Sequence, residues 1–234
     1  MTRARIAVLA SGSGTNLQAI LDYFERLGER RSGDVVLVAS DRHRAGALGR
    51  AAARGIDAVA LESANERDHP ALAAALTAHD VQLVVLAGYL RLVPPAVVAR
   101  YAGRIVNVHP ALLPAFGGAG MYGLRVHAAV LEAGVKVTGV TVHFVDEQYD
   151  RGSIIAQWPV PVLAGDDANA LAARVLRVEH LLYPRVVDAV AGGRLTLSAS
   201  RISPGIAASA SMSYTLSNRD DACLAEEIER ALEG

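Results

Sequence analysis

Asn107 and His109 stand two residues apart at the end of the apolar run 105–108. In an extended strand this spacing puts both side chains on one face, and Pro110 ends the strand directly after them. An Asn amide can donate to an oxygen that gains negative charge, and His can donate or exchange a proton near neutral pH. Neither is a strong nucleophile here, so the pair favours direct group transfer with oxyanion stabilisation. The alternative is a polar strand end whose side chains pair with the backbone of the next loop.

A carboxylate for this pair is offered by Asp150, in a turn that follows an alternating segment. Asp is common in turns without any function, and Asp146 and Glu147 are rivals for the role. If Asp150 folds back onto His109, we expect the ion pair to raise the pKa of His109 and to lower that of Asp150. The cationic imidazole would then be the better oxyanion donor.

A second polar segment, residues 11–16, lies between the first apolar run and a helical stretch. Its small residues let backbone N–H groups approach a ligand, and the start of a helix adds positive partial charge, so the loop suits a phosphate. It matches neither the dinucleotide-binding glycine pattern nor a Walker A loop, and Asp41 comes too late for the ribose-binding acid of a dehydrogenase. A tight turn in which Ser13 or Thr15 caps the helix explains the same residues without a ligand.

Apolar β-branched runs alternate with Ala-, Leu- and Arg-rich stretches through the first half of the chain. The predicted strands are residues 6–9, 35–39, 58–61, 83–87 and 105–108, and the predicted helices are residues 17–27, 45–54, 70–78 and 95–101. This alternation, with strands that are apolar on both faces, predicts an α/β fold: a three-layer, mostly parallel twisted sheet with helices on both faces, Rossmann-like. Such sheets carry their active sites at the carboxyl ends of the strands, where Asn107 and His109 fall.

The pattern changes after residue 109. A loop rich in Pro and Gly is followed by a helix at about 124–133, an alternating strand at 136–145, a strand through 154–158 and a long helix at about 168–190. Residues 198–217, rich in Ser and Ala and without a period, suit a mobile or irregular segment. Leu224, Ile228 and Leu232 predict a short amphipathic helix over 220–232.

Composition limits the classes of function. The net charge is −1 with both signs interspersed, so there is no basic stripe for nucleic acid and no charge excess for a membrane surface. One cysteine, Cys223, permits neither an internal disulfide nor a cysteine zinc site. No secretory signal precedes the first strand, and no apolar stretch approaches the roughly 18 residues of a membrane span. We expect a cytoplasmic monomer or homodimer that acts on small molecules.

Together these segments resemble the glycinamide ribonucleotide formyltransferases of purine synthesis. The likeness covers about residues 4–197 and rests on five segments that agree in order and spacing: residues 8–20, 86–91, 107–114, 140–152 and 174–184. It implies a catalytic domain over 1–197, with a nucleotide-binding half at about 1–100 and a folate-binding, catalytic half at about 101–197. Residues 198–234 then form a tail.

The resemblance implies direct transfer of the formyl group of 10-formyltetrahydrofolate to the amine of 5′-phosphoribosylglycinamide, without a metal. Asn107 and a cationic His109 would stabilise the oxyanion, while Asp150 would keep His109 charged and help to move a proton to the leaving folate nitrogen. Residues that match the family's binding site for the phosphate and ribose are Gly12, Ser13, Gly14, Thr15, Asn16 and Glu179. Those that match its folate site are Arg67, Leu90, Arg91, Leu92, Val93, Val145, Asp146, Glu147 and Asp150.

The chain departs from the family pattern in the loop that follows Phe116. Gly117 stands where a proline is usual, and a usual histidine is deleted or replaced at residues 119–120. Because extra glycine raises the entropy lost on ordering, we expect a mobile loop and reduced activity. Among the other histidines, we favour a buried structural role for His143 over a place beside the site, and we expect His127 at the surface.

Three alternatives remain. A formyltetrahydrofolate deformylase passes the formyl group to water, but it normally carries an extra N-terminal regulatory domain, whereas the first strand here begins near residue 5. A methionyl-tRNA formyltransferase carries an RNA-binding domain, for which the tail is too short and not basic. The altered glycine loop also permits a catalytically weakened homologue that only binds phosphate or folate.

Overall fold

The computed structural model describes residues 2–61, 70–198, 201–204 and 219–233. The strands in these ranges are β1 (Ala4–Leu9), β2 (Gly33–Ser40), β3 (Asp57–Ala60), β4 (Leu83–Leu86), β5 (Ile105–His109), β6 (Val137–Phe144), β7 (Ile154–Pro161), β8 (Leu195–Ser198) and β9 (Arg201–Pro204). The helices are α1 (Thr15–Leu27), α2 (Gly46–Ala53), α3 (Pro70–Ala78), α4 (Pro95–Arg100), α5 (Leu124–Glu132), α6 (Ala168–Ala191) and α7 (Arg219–Glu233). Arg67, expected at the folate site, lies outside the described residues.

The main sheet has seven strands in the order β3-β2-β1-β4-β5-β6-β7. The first five in that order pair in parallel, and β6 runs antiparallel to both of its neighbours. The predicted α/β fold with a mostly parallel sheet is therefore confirmed. The strand order reverses direction between β1 and β4, and the carboxyl ends on either side of such a reversal form a crevice.

Helices cover both faces of the sheet and leave two buried clusters. On one face α1 and α6 pack against the strands through residues such as Leu17 and Leu182, and α7 packs on α6 and adds Leu224 to the same cluster. On the other face α3 and α4 contribute Leu72 and Val97, among others. The clusters fix the ends of the central strands, because the apolar side chains of β1 and β4 are buried on both faces of the sheet.

A buried tyrosine anchors the long helix α6 to the sheet. The hydroxyl of Tyr183 lies between the carbonyl oxygens of Leu86 on β4 and Val106 on β5, at 2.9 and 3.1 Å. The hydroxyl has one proton and donates it to one of these two carbonyl oxygens at a time. Either hydrogen bond holds the tyrosine ring against β4 and β5. This anchor fixes Glu179, which lies one turn earlier on α6.

The end of the chain has more order than its composition indicates. β8 and β9 form a two-stranded antiparallel sheet, and β9 falls in the segment for which we expected irregular structure. A strand of four residues is too short to show a period, so the sequence gives no sign of it. α7 packs against α6, with Ile228 fully buried and Arg185 2.8 Å from Glu227. Among the described residues, no helix has the length and apolar composition needed to cross a bilayer.

Gly152, in the turn between β6 and β7, provides a test of how closely this turn packs against the end of β6. A Cβ at this position would overlap the carbonyl oxygen of Phe144. We predict that Gly152→Ala lowers the free energy of unfolding by at least about 2 kcal/mol, measured by urea denaturation. Gly49→Ala, at an exposed position of α2 where an added Cβ meets nothing within 4 Å, is the matched control. It should stabilise by roughly 0.5–1 kcal/mol; equal stability of both variants would contradict this packing.

Candidate active site

Asn107 and His109 on β5 and His143 on β6 face the turn that carries Asp150. Asn107 is paired with His143 across the β5–β6 ladder, and His109 with Thr141. Asp150 folds back over this edge, so its two carboxylate oxygens lie 3.6 Å from His109 Nδ1 and 3.6 Å from His143 Nε2. The structure thus brings together Asn107, His109 and Asp150, as the sequence led us to expect, and adds His143.

His143 orients the amide of Asn107. Its Nδ1 lies 2.7 Å from the carbonyl oxygen of Phe144, which can only accept, so Nδ1 carries a proton. In the neutral ring Nε2 then accepts from Asn107 Nδ2, 3.1 Å away. The second N–H of the amide remains available to another acceptor. His143 is buried and structural, as we favoured, and it also borders the site.

The glycine-rich loop closes over the same group. His109 Nε2 lies 2.9 Å from the carbonyl oxygen of Phe116 and therefore donates to it. The N–H of Gly118 donates to Asp150 at 2.9 Å. A Cβ at Gly117 would lie 3.2 Å from that of Asp150 and would overlap Leu113. Gly117 therefore permits the close approach of the loop, whereas the mobility of the loop stays a prediction.

Burial, rather than the ion pair, decides the charge of His109. Burial lowers the pKa of His109, and this outweighs the opposite effects of Asp150 and of the hydrogen bond to Phe116. Our expectation of a raised pKa was therefore wrong, because the sequence does not reveal how fully the loop covers the ring. Burial acts to raise the pKa of Asp150, but contacts with His143 and with the N–H of Gly118 hold it below its ordinary value, as expected. In this arrangement an ionised carboxylate faces an imidazole that prefers to be neutral.

Backbone strain accompanies this cluster. Asp150 has a φ of 54° and Phe116 a φ of 55°, both in the left-handed region that non-glycine residues rarely occupy. Strain of this kind persists only where the surroundings enforce it, and it concentrates at functional sites. Here the enforced positions hold the carboxylate and the loop carbonyl that meet His109.

His127 is a buried histidine near His109 that the sequence did not reveal. We expected it at the surface, but it lies on the inner face of α5 and is 4% exposed. Burial, with a smaller contribution from the charge of nearby His109, lowers the pKa of His127 to about 4. Its Nδ1 is buried and has no hydrogen-bond partner. Its position between the buried Val126 and Val130 of an amphipathic helix was the available sequence signal.

Residues 12–15, called here the first glycine loop, lead into α1 without a side-chain cap. Gly14 is the N-cap residue, with a φ of 75°, and neither Ser13 nor Thr15 caps the helix. The simple capping alternative is therefore wrong, and the first N–H groups of the helix keep their capacity for an anion. A Cβ at Gly14 would lie 2.7 Å from Cα of Ala47, so only glycine lets α2 approach this closely.

Glu179 of α6 lies against this loop. Asn16 Nδ2 donates to Glu179 Oε2 at 2.6 Å, while Asn16 Oδ1 is buried without a partner. Burial raises the pKa of Glu179 to about 7, although the hydrogen bond from Asn16 opposes the shift. The structure thus brings together two residues that are 163 positions apart in the sequence.

The segments expected at the folate site meet through apolar packing. Val93 belongs to the buried cluster beneath α4, and Val145 packs against the same cluster. Asp146 accepts from the N–H of Gln148 at 2.8 Å within its own turn, and Glu147 is exposed. Asp146 and Glu147 are thus poor rivals for the place of Asp150. Across the described residues, no three side chains of the metal-binding types are grouped to hold an ion.

Comparisons with known proteins agree with this geometry. Residues 4–187 match the model of the formyl transferase family. Phosphoribosylglycinamide formyltransferase of Escherichia coli (strain K12) is 40% identical over 197 residues, which are 82% of this chain and 89% of that protein. The crystal structure of glycinamide ribonucleotide transformylase 1 from Symbiobacterium toebii is 46% identical, with a TM-score of 0.77 over 86% of this chain and 93% of that one. A formyltetrahydrofolate deformylase from Pseudomonas syringae is 23% identical with a TM-score of 0.75 and covers 86% of this chain and 65% of that one, so it shares the fold alone.

Glu179 predicts a specific dependence of stability on pH. Its pKa of about 7 in the folded chain exceeds the ordinary 4.5, so the folded chain binds the proton more tightly. The resulting stability is present at low pH and is lost as the pH rises from about 4.5 to about 7, on the order of 3 kcal/mol in total. Glu179→Gln keeps an acceptor for Asn16 and does not titrate. We expect the variant to lose less stability than the native chain between about pH 5 and pH 8 in urea unfolding; parallel pH curves would contradict the shift.

Proposed function

The chain belongs to the formyl transferase family, and from this premise we propose that it transfers the formyl group of 10-formyltetrahydrofolate to the amine of 5′-phosphoribosylglycinamide. The products are formylglycinamide ribonucleotide and tetrahydrofolate. The observation that carries the proposal is the convergence of Asn107, His109 and Asp150 at the carboxyl end of β5.

In the proposed reaction the acceptor nitrogen bonds to the formyl carbon, and the bond from that carbon to the folate nitrogen breaks. A proton leaves the amine and arrives at the folate nitrogen. Negative charge develops on the formyl oxygen, and Asn107 donates its free N–H to it. His143 contributes by fixing the amide plane before the substrates arrive.

His109 supplies the second donor once the loop releases it. The carbonyl of Phe116 accepts from Nε2 here and so occupies the hydrogen bond that the formyl oxygen would need. Binding of the folate has to displace this carbonyl, which couples loop opening to assembly of the site. Developing negative charge beside the ring then favours the protonated imidazole that burial disfavours.

Asp150 is suited to relay the proton. It is ionised at neutral pH because its pKa is held low, and its carboxylate faces the edge at which Asn107 and His109 point. An ionised carboxylate can accept a proton from the attacking amine through water and pass it on to the leaving nitrogen. The same charge holds His109 in place as the loop moves.

The remaining residues divide between the two substrates. For the phosphate and ribose we propose the backbone of the first glycine loop, Asn16 and Glu179; the uncapped amides and the buried carboxylate support this. For the folate we propose Arg67, residues 90–93 and residues 145–150. We further propose that residues 1–197 form the catalytic unit and that the protein works in the cytoplasm, as a monomer or homodimer, without nucleic acid or a membrane.

An assay with 10-formyltetrahydrofolate, with and without 5′-phosphoribosylglycinamide, tests the function. Release of tetrahydrofolate that requires the ribonucleotide supports the transferase. Release without it would instead identify a hydrolytic deformylase, and binding without turnover a catalytically weakened homologue.

Asn107→Ala tests the oxyanion donor. We predict that kcat falls by about 10²–10³-fold, the usual result of removing one such donor, with little change in the KM for either substrate. Steady-state kinetics give both numbers. Asn169→Ala, at an exposed position at the start of α6, is the control and should retain native kcat. An Asn107→Ala enzyme within a few-fold of the native rate would refute the role.

Asp150→Asn tests the carboxylate. Removing the charge takes away the effect that raises the pKa of His109, so the pH at which activity is lost on the alkaline side should move down. We expect kcat at neutral pH to fall by about 10²-fold or more, since the proton relay is lost as well. Asp57→Asn removes a carboxylate that pairs with His79; Asp57 lies on β3, the edge strand four positions from β5, so the variant should leave the pH–rate profile in place. An unchanged profile in Asp150→Asn would contradict the electrostatic role.

A further inference from the structure

The ends of β2, β1 and β4 carry a polar network that the transfer chemistry leaves unexplained. Its members are Ser11 after β1, Asp41 after β2, and Leu90 and Arg91 after β4. Because β1 lies between β2 and β4 in the sheet, the three loops leave the same edge side by side. Ser11 precedes the glycine loop proposed for the phosphate, whereas Leu90 and Arg91 open the segment proposed for the folate.

Asp41 gives one carboxylate oxygen to each loop. Ser11 Oγ donates to Asp41 Oδ1 at 2.5 Å, and Arg91 Nε lies 3.2 Å from Asp41 Oδ2. Ser11 Oγ also accepts from the N–H of Leu90 at 2.9 Å, which links the two loops a second time. The side chain of Asp41 is 5% exposed, so water contributes little to balancing its charge.

The strands do not need this network to stay paired. Backbone hydrogen bonds already extend the ladder beyond the strand ends, from Ala10 to Ala39 and from Ser11 to Gly88, each at 3.0 Å. The carboxylate therefore acts on the loops rather than on the sheet. A buried hydroxyl without a partner, that of Tyr89, lies among the same groups: burial, followed by the charge of Asp41, raises its pKa to about 12.

We propose that Asp41 is a positioning residue that couples the two substrate subsites. A ligand that orders the loop after β1 fixes Ser11 and hence Asp41, and Asp41 then holds Arg91 in the loop after β4. Each substrate consequently binds more tightly when the other is present, and by linkage the two effects are equal. The inference rests on the proposed function, because that function assigns the two loops to two ligands.

Asp41→Asn breaks the contact with Arg91 and keeps the contact with Ser11. The amide oxygen of Asn can still accept from Ser11, but its NH₂ group would face the donor Nε of Arg91. The acceptor loop keeps its hydrogen bond while the folate loop loses its ion pair. Arg91→Met, which removes the guanidinium from a partly exposed position, cuts the same contact from the other side.

The test uses tetrahydrofolate and 5′-phosphoribosylglycinamide, a pair that lacks a formyl group and forms a ternary complex without turnover. Calorimetry with the full chain, under a reductant, gives the affinity of each ligand with and without the other. We expect the native chain to bind each ligand at least about fivefold more tightly in the ternary complex. Asp41→Asn should reduce this factor to less than about twofold while each binary affinity changes by less than about threefold.

Asp166→Asn is the matched control, because Asp166 forms a similarly buried pair with Arg174, at 2.6 Å, at the start of α6. It should leave the coupling factor at its native value. In the double variant Asp41→Asn/Arg91→Met, the coupling should be no weaker than in either single variant. If Asp41→Asn fails to fold, Arg91→Met alone must abolish the coupling.

The outcomes separate this inference from the proposed function. A native coupling factor near one, or native coupling retained in Asp41→Asn or in Arg91→Met, overturns the role of Asp41 even if the enzyme transfers formyl groups normally. Absence of binding by either ligand, together with absence of turnover, would instead overturn the proposed function.

Discussion

The burial of one ionised carboxylate beside two imidazoles is the interaction on which the rest of the site depends. Asp150 is held in a left-handed turn, at a φ of 54°, by the N–H of Gly118 and by the packing that requires Gly152. A buried charge needs partners. The N–H of Gly118 donates to the carboxylate here, and His109 and His143 can add an N–H each when their rings are protonated. The loop, the turn and the strand edge therefore cannot take their positions independently, which explains how residues far apart in sequence reach one point.

Burial and the neighbouring acceptors have opposite effects on the pKa of His109. His109 meets acceptors at both ring nitrogens, so its surroundings offer hydrogen bonds to a cation, but burial favours the neutral ring. Such a group is poised to take a proton when negative charge appears nearby, and it avoids the permanent desolvation of a resting cation. His127, neutral and buried close by, adds no competing charge in the resting state. Burial also acts on a carboxyl group beside the first glycine loop, where it raises the pKa of Glu179 to about 7 and so disfavours the charged form.

The sequence predicted the features that depend on local pattern. The sheet followed from apolar runs, and the shared face of Asn107 and His109 followed from a period of two. The features it missed depend on how separate segments cover one another. The pKa of His109 could not be read from its neighbours in sequence, since the ring is covered by a loop that pattern alone does not place. His127 was assigned to the surface because a lone histidine on a short helix looks like a surface residue. The strand β9 was missed because four residues are too few to show a period.

The shared edge of the sheet also explains why coupling between the subsites is physically reasonable. Parallel strands end at one level, so the loops proposed for the two substrates start only one strand spacing apart, close to 5 Å. A single carboxylate such as Asp41 can then contact both loops without any movement of the core. In a direct transfer the two substrates must react with each other and not with water, so a site that binds both together limits loss of the formyl group. Geometry that favours the ternary complex therefore belongs with the chemistry of Asn107 and Asp150, although Asp41 follows β2, three strands from β5 in the sheet.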